Sequence, residues 1–204
     1  MKLGFLASHG GSNMQAIADA CTSGLLEAEV RLVISNNADS LALQRARDQN
    51  IPVAHLSSRT HPDPQPLDAA IAATLARSEV DLVLLAGYMK KVGPITLARF
   101  PQRILNIHPA LLPKYGGEGL YGRRVHEAVL SSGDRATGVT IHLVDEEYDR
   151  GPLVAQCEVE VRPGDSVDTL AARVLEQEHK LYVNTLIRIE RGELDLSRLV
   201  RLQE

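Results

Sequence analysis

The chain has 204 residues, 44% of them hydrophobic, with Lys+Arg of 22 against Asp+Glu of 26 and a formal net charge of -4. That length fits one domain, or two closely joined halves, with enough chain to bury a core, and the acidic balance argues against a nucleic-acid binder, which is usually basic. Two distant cysteines, Cys21 and Cys157, and seven histidines without HxxxH or HExxH spacing argue against a structural zinc site and for a reducing, cytoplasmic setting.

The N-terminal run Met1-Lys2-Leu3-Gly4-Phe5-Leu6-Ala7 breaks at Ser8-His9-Gly10-Gly11, too short for a secretory signal. No apolar stretch reaches membrane-spanning length, so no membrane partner is expected. In the first half, apolar runs predict strands at Lys2–Ala7, Glu29–Ser35, Pro52–Leu56, Asp81–Ala86 and Arg103–Ile107. Amphipathic segments predict helices at Asn13–Thr22, Ser40–Gln49, Pro66–Arg77 and Pro94–Arg99. This alternation, with continuous runs such as Leu82-Val83-Leu84-Leu85, implies an α/β fold whose N-terminal half is a Rossmann-like parallel sheet. His61–Pro66 reads as a Pro-rich surface loop.

The second half changes character. After the Gly116-Gly117-Glu118-Gly119 loop and a helix around Arg123–Ser131, Thr137–Val144 and Leu153–Val161 predict two strands able to pair, which makes this part mixed or antiparallel. Ser166 reads as the N-cap of a long final helix reaching about Ile189, with Asp165 and Asp168 suited to its positive end. The whole is expected to be a single domain, with a phosphate-binding half over about 1–100 and a catalytic half over about 101–204.

Three local patterns carry chemistry. Asn106 and His108 alternate near the tip of a short strand, so they project from one face before Pro109 stops the ladder. An amide donor beside an imidazole suits a reaction that builds an oxyanion and moves a proton, hence group transfer at a carbonyl carbon. Gly10-Gly11-Ser12-Asn13 lies between the first strand and the first helix, where free amides and the positive helix end favour one phosphomonoester, with Ser12 able to cap the helix. The full GxGxxG pattern is missing, and Ser35-Asn36-Asn37 offers no ribose-binding acid. Glu178 falls on the apolar stripe formed by Val167, Leu170, Ala171, Val174, Leu181, Tyr182, Thr185 and Ile189. A carboxylate there is costly unless paired, for example with Arg173, or open to a cleft that holds a substrate amine or hydroxyls. Taken singly, each of these residues has an ordinary structural reading. Asp149 sits behind an acidic run that reads as solvated loop, and His142 reads as structural.

Together the segments resemble the phosphoribosylglycinamide formyltransferases, a family of folate-dependent enzymes of purine synthesis. The residues that carry the likeness are Gly11-Ser12-Asn13, Leu85-Ala86-Gly87-Tyr88-Met89, Asn106-Ile107-His108-Pro109 with Leu111-Leu112-Pro113, Asp149 before Gly151-Pro152, and Gln177-Glu178-His179. The resemblance implies the formyltransferase fold and two small-molecule substrates, 5'-phosphoribosylglycinamide and 10-formyltetrahydrofolate, without a metal. It further implies Asn106, His108 and Asp149 as catalytic residues, with Asp149 favouring the charged form of His108. Gly11, Ser12 and Asn13 would bind the phosphate, supported by Arg103, and Glu178 the sugar and amine end. Met89, Lys90, Val92 and Val144, within a loop Val139–Asp149, would border the folate.

The chain departs from many relatives at His9-Gly10, in the His61–Pro66 region where some supply an arginine, and in the longer Tyr115–Gly122 loop. Formyltetrahydrofolate hydrolases and methionyl-tRNA formyltransferases share parts of the pattern but are expected to carry additional domains. The pattern also admits a sugar-nucleotide formyltransferase, or a non-catalytic binder of a phosphorylated metabolite. A monomer or homodimer is expected.

Overall fold

Strand β1 (Lys2–Ala7) is buried from Leu3 onward, as an inner strand covered on both faces must be. The computed structural model describes residues 1–199. They divide into two compact units, with the boundary between Leu105 and Asn106.

In the first unit, β1 is followed by α1 (Ser12–Thr22), β2 (Glu29–Ser35), α2 (Leu41–Asp48), β3 (Val53–His55), α3 (Pro64–Arg77), β4 (Leu82–Leu85) and α4 (Pro94–Arg99). Strand β1 pairs in parallel with β2 and β4, and β2 in parallel with β3. Every residue of β4 is buried, which agrees with its uninterrupted apolar sequence. Helix α2 and strands β3 and β4 are each one residue shorter at both ends than expected, and two helix starts also differ. Helix α1 starts at Ser12 with Gly11 as N-cap and no side-chain cap hydrogen bond, so Ser12 lies inside the helix and does not cap it. Helix α3 starts at Pro64 with Asp63 at the N-cap, so the expected loop ends two residues early. Proline suits that first turn, because its φ is preset and its missing N–H would have had no partner there.

Strand β5 (Ile104–His108) contains the unit boundary, and the seven-stranded sheet runs β3-β2-β1-β4-β5-β6-β7. The second unit continues with α5 (Arg123–Ser132), β6 (Ala136–Leu143), β7 (Leu153–Glu160), α6 (Val167–Glu190) and a 3-10 turn at Leu196–Arg198, which is not among the expected elements. Strands β6 and β7 pair antiparallel, with a register shift between Ile141 and His142. Such a bulge re-aims side chains at a strand end.

Helix α6 has a capping box. Ser166 accepts from Thr169 N at 3.2 Å while its own N–H donates to Thr169 Oγ1 at 3.0 Å. The helix packs on β6, β7 and α5. Its buried face is Leu170, Val174, Tyr182, Val183, Thr185 and Leu186. Leu181 and Ile189 are only half-buried, so the stripe turns towards Val183 and Leu186 relative to the expected one.

Candidate functional site

In the first unit the glycine loop is held by its neighbours. Ser8 N–H donates to Gly87 O at 3.1 Å, and its hydroxyl donates to Asn36 Oδ1 at 2.6 Å while accepting Met89 N–H at 2.8 Å. Ser8 therefore ties the Ala86–Met89 segment to the end of β1. Gly11 sits at φ 66, and a Cβ there would lie 2.7 Å from Ala42 Cβ and 2.9 Å from Ala42 Cα. No other residue fits without moving the start of α2. Ser12 is half-buried and Asn13 buried in the first turn, where helical geometry leaves the leading amides without intrahelical acceptors.

On the expected folate side, Met89 and Lys90 are exposed, but Val92 is buried in the core. Asp68 of α3 fixes the segment beyond them, accepting Ile95 N–H at 2.7 Å and Thr96 N–H at 3.1 Å. Arg103 lies with its guanidinium 5.6 Å from the centroid of the Phe100 ring.

In the second unit, Asn106, His108, His142 and Asp149 form one polar cluster. Asn106 Nδ2 lies 3.0 Å from His142 Nε2 and 3.5 Å from Asp149 Oδ1. His142 Nδ1 is 2.8 Å from Leu143 O, and because a carbonyl only accepts, that nitrogen carries a proton. In the neutral ring the hydrogen bond at one nitrogen sets the role of the other, so Nε2 is the acceptor for Asn106. His108 Nε2 donates to Tyr115 O at 2.8 Å, and its Nδ1 faces Asp149 Oδ2 at 3.6 Å. Asp149 accepts Gly117 N–H at 2.9 Å and lies 3.4 Å from His142 Nε2. Its side chain is 11% exposed, against 5% for His108 and 3% for His142. The acidic run that suggested a solvated loop is therefore followed by a largely covered carboxylate, at φ 56.

His142 is the cluster member whose sequence reading is structural only. The signal within the sequence is its alternation with Thr140 on β6. Both side chains bind other segments: Thr140 Oγ1 donates to Ala110 O at 2.6 Å and accepts Leu112 N–H at 3.0 Å, after β5, while His142 meets Asn106 within that strand.

Burial pushes the His108 imidazole below its ordinary range. Asp149 and the Tyr115 carbonyl oppose that shift without reversing it, and His142 adds to it. Asp149 thus favours the charged form, as the resemblance implies, but desolvation outweighs it and the net shift favours the neutral ring. Burial alone would raise the Asp149 carboxyl, but the neighbouring His142 and His108 rings and the Gly117 amide outweigh it and hold the group below the usual carboxylate range. His126 on α5 is also pushed down, first by burial and then by His108, and its buried Nδ1 has no hydrogen-bond partner among the described residues.

Depressed histidines lose their contribution to stability as pH falls. The unfolded chain takes up protons below about pH 6.5, before the folded one does. Tm is therefore expected to drop between pH 7 and pH 5, and His126→Gln to flatten that drop in thermal melts; an unchanged slope would show that His126 does not contribute.

Glu178 is half-buried on α6 between Val174 and Tyr182, one turn from each, and its charge adds to the burial that raises the Tyr182 phenol. Arg173, the cation considered as its partner, gives its two terminal nitrogens to Asp165, each at 2.7 Å. Val144 is half-buried just past β6. The stretch Val139–Leu143, expected as part of a folate-bordering loop, is buried strand; the loop begins at Val144. Among the described residues no group of three or more His, Cys, Asp or Glu side chains is placed to hold a metal ion. No helix among them is long and apolar enough to cross a membrane.

A parallel α/β unit with a glycine turn, joined to a unit carrying an Asn–His–Asp cluster, has the chemistry suited to group transfer, and comparison with known proteins assigns the chain to the transferases. The formyl transferase family model matches residues 1–186. A chloroplastic phosphoribosylglycinamide formyltransferase of Arabidopsis thaliana is 45% identical over 91% of this chain and 64% of its own length. The Haemophilus influenzae phosphoribosylglycinamide formyltransferase is 41% identical over 96% of this chain and 90% of its own. The crystal structure of glycinamide ribonucleotide transformylase 1 from Symbiobacterium toebii superposes with a TM-score of 0.90 at 37% identity, covering 100% of this chain and 94% of that one. The chain thus spans just under two thirds of the plant relative and nine tenths of the Haemophilus one. It belongs to the phosphoribosylglycinamide formyltransferase family.

Proposed function

We propose that this chain transfers the formyl group of 10-formyltetrahydrofolate to the amine of 5'-phosphoribosylglycinamide, as a step of purine biosynthesis. The observation that carries the reading is the Asn106–His108–Asp149 cluster, with Asp149 Oδ2 3.6 Å from His108 Nδ1, in a chain whose family is formyl transferase. The family match spans both units, which supports treating residues 1–204 as one formyltransferase domain with a phosphate-binding and a catalytic half. A cytoplasmic location fits the same reading.

In the transfer, the amine nitrogen bonds to the formyl carbon, and the bond from that carbon to the folate nitrogen breaks. A proton leaves the amine and reaches the folate nitrogen. Neutral His108 suits the first proton movement, because it can accept at Nδ1 and the resulting imidazolium has an acceptor at each nitrogen, Tyr115 O and Asp149. Asn106 has one N–H committed to His142; the other makes only the long 3.5 Å contact with Asp149 and is the donor free to meet the formyl oxygen as it gains charge. His108 assists as a nearby positive charge once protonated. The amides of Gly11, Ser12 and Asn13 would take the phosphate, and Glu178 the sugar and amine end. Met89, Lys90, the Val92 backbone and Val144 would border the folate.

The test is folate product formation followed spectroscopically with and without 5'-phosphoribosylglycinamide. Turnover is expected only with that amine. Turnover with water alone would favour a formyltetrahydrofolate hydrolase, and none with either a metabolite-binding protein.

A further inference from the structure

Tyr115 adopts φ 60, a left-handed conformation that side-chain-bearing residues rarely take. Glycines follow it at 116, 117, 119 and 122, so the turn carries a tyrosine beside a stretch rich in the residue that would relieve the strain. The phenol explains why. Its hydroxyl donates to Asp134 Oδ2 at 2.6 Å and lies 2.5 Å from Ser132 Oγ, at the C-terminal end of α5. Ser132 Oγ is itself 2.8 Å from Val129 O, on the last turn of the helix. Lys114 pairs with the same Asp134 and stands 5.1 Å from the centroid of the Tyr115 ring.

The other end of this residue is the carbonyl that accepts from His108 Nε2 at 2.8 Å. Two residues on, Gly117 N–H donates to Asp149 Oδ2 at 2.9 Å. Between them, a Cβ on Gly116 would lie 2.4 Å from Leu112 Cδ2 and 3.2 Å from Asp149 Cβ, so a side chain there would have to displace the buried Leu112. One three-residue turn therefore grips both members of the His108–Asp149 pair, and the phenol moors that turn to α5.

We propose that Tyr115 is a positioning residue for the transfer: its hydroxyl holds the strained turn whose carbonyl keeps the His108 proton on Nε2, leaving Nδ1 to face Asp149. This rests on the formyl-transfer reading for its consequence, but its structural half can be tested without substrate. The tautomer of His108 is read by 15N NMR of the full chain, with the signals identified by their loss in His108→Gln. In the wild type a single Nε2–H tautomer is expected. Tyr115→Phe removes only the hydroxyl, and is expected to give mixed tautomers and a kcat lower by roughly tenfold, the scale of one hydrogen bond, with both KM values within about twofold.

Tyr115→Gly separates mooring from strain. It relieves the backbone but lacks the tether, so it should resemble Tyr115→Phe. Asp134→Asn keeps an acceptor oxygen and should retain the wild-type tautomer. A single tautomer and wild-type kcat in Tyr115→Phe would overturn the proposal. So would full activity in Tyr115→Gly. If the wild type fails to formylate 5'-phosphoribosylglycinamide while Tyr115→Phe still scrambles the tautomer, the positioning role stands and the proposed substrate falls.

Discussion

Asp149→Asn is expected to lower kcat by about two to four orders of magnitude, the range that general acid–base groups supply, while the protein stays folded and binds both substrates. The substitution changes little in shape. An amide oxygen can still accept Gly117 N–H, which now lies 2.9 Å from Asp149 Oδ2. What disappears is the charge facing His108 Nδ1 at 3.6 Å and His142 Nε2 at 3.4 Å. Burial already depresses the His108 imidazole, and Asp149 is the first of the influences opposing that depression. Without it, the imidazolium formed after proton uptake keeps Tyr115 O and the amide oxygen as neutral acceptors and loses the negative charge that balances it. His108 should therefore titrate at still lower pH in the variant, which NMR titration measures independently of turnover. Circular dichroism and thermal melts establish that the fold survives. Near-normal kcat would remove Asp149 from the mechanism, whatever its distance from His108.

The parts of this architecture that are legible in the sequence are those set by local pattern. Strands β1 and β2 match the predicted Lys2–Ala7 and Glu29–Ser35 to the residue, because apolar runs bounded by turn residues leave little choice of register. The start of α6 is readable from Ser166, since a capping box is written within four residues. Where expectation and structure part, a distant residue decides. Position 11, the N-cap of α1, must be glycine because Ala42 of α2 leaves no space for a side chain there, and Ala42 is far away in sequence.

Burial of Asp149 is hidden for the same kind of reason. The run Asp145-Glu146-Glu147 signals solvent, and nothing local announces that Gly117 and two histidines close over the next carboxylate. His142 is readable only as far as its face. Alternation groups it with Thr140, but not with Asn106 on another strand. The resting charge of His108 is out of reach too, because it depends on how completely the ring is desolvated as well as on which charges stand nearby.

Gly151→Ala is expected to be the most damaging single-methyl change near this cluster. Gly151 follows Asp149 by two residues, and a Cβ on it would lie 1.8 Å from Leu143 O and 2.9 Å from Leu143 C. Those are backbone atoms at the end of β6, so no side-chain rotation makes room. Leu143 O is also the acceptor for His142 Nδ1 at 2.8 Å, and Leu143 N–H donates to Pro152 O at 2.8 Å. Relieving the clash must therefore either part the chain ends at this corner of the β6–β7 pair or move the carbonyl that sets which His142 nitrogen carries the proton. The second route reaches Asn106, which donates to His142 Nε2 at 3.0 Å. Overpacking of this kind costs about 1–3 kcal/mol and more where backbone must shift. Tm should fall accordingly, and kcat should drop by at least about tenfold, since misplacement of reacting groups by about an ångström is costly. Gly10→Ala, where a Cβ meets nothing within 4 Å, should leave Tm unchanged. If Gly151→Ala keeps both Tm and kcat, the corner is pliable and the His142–Asn106 contact is not what orients the amide for the transfer.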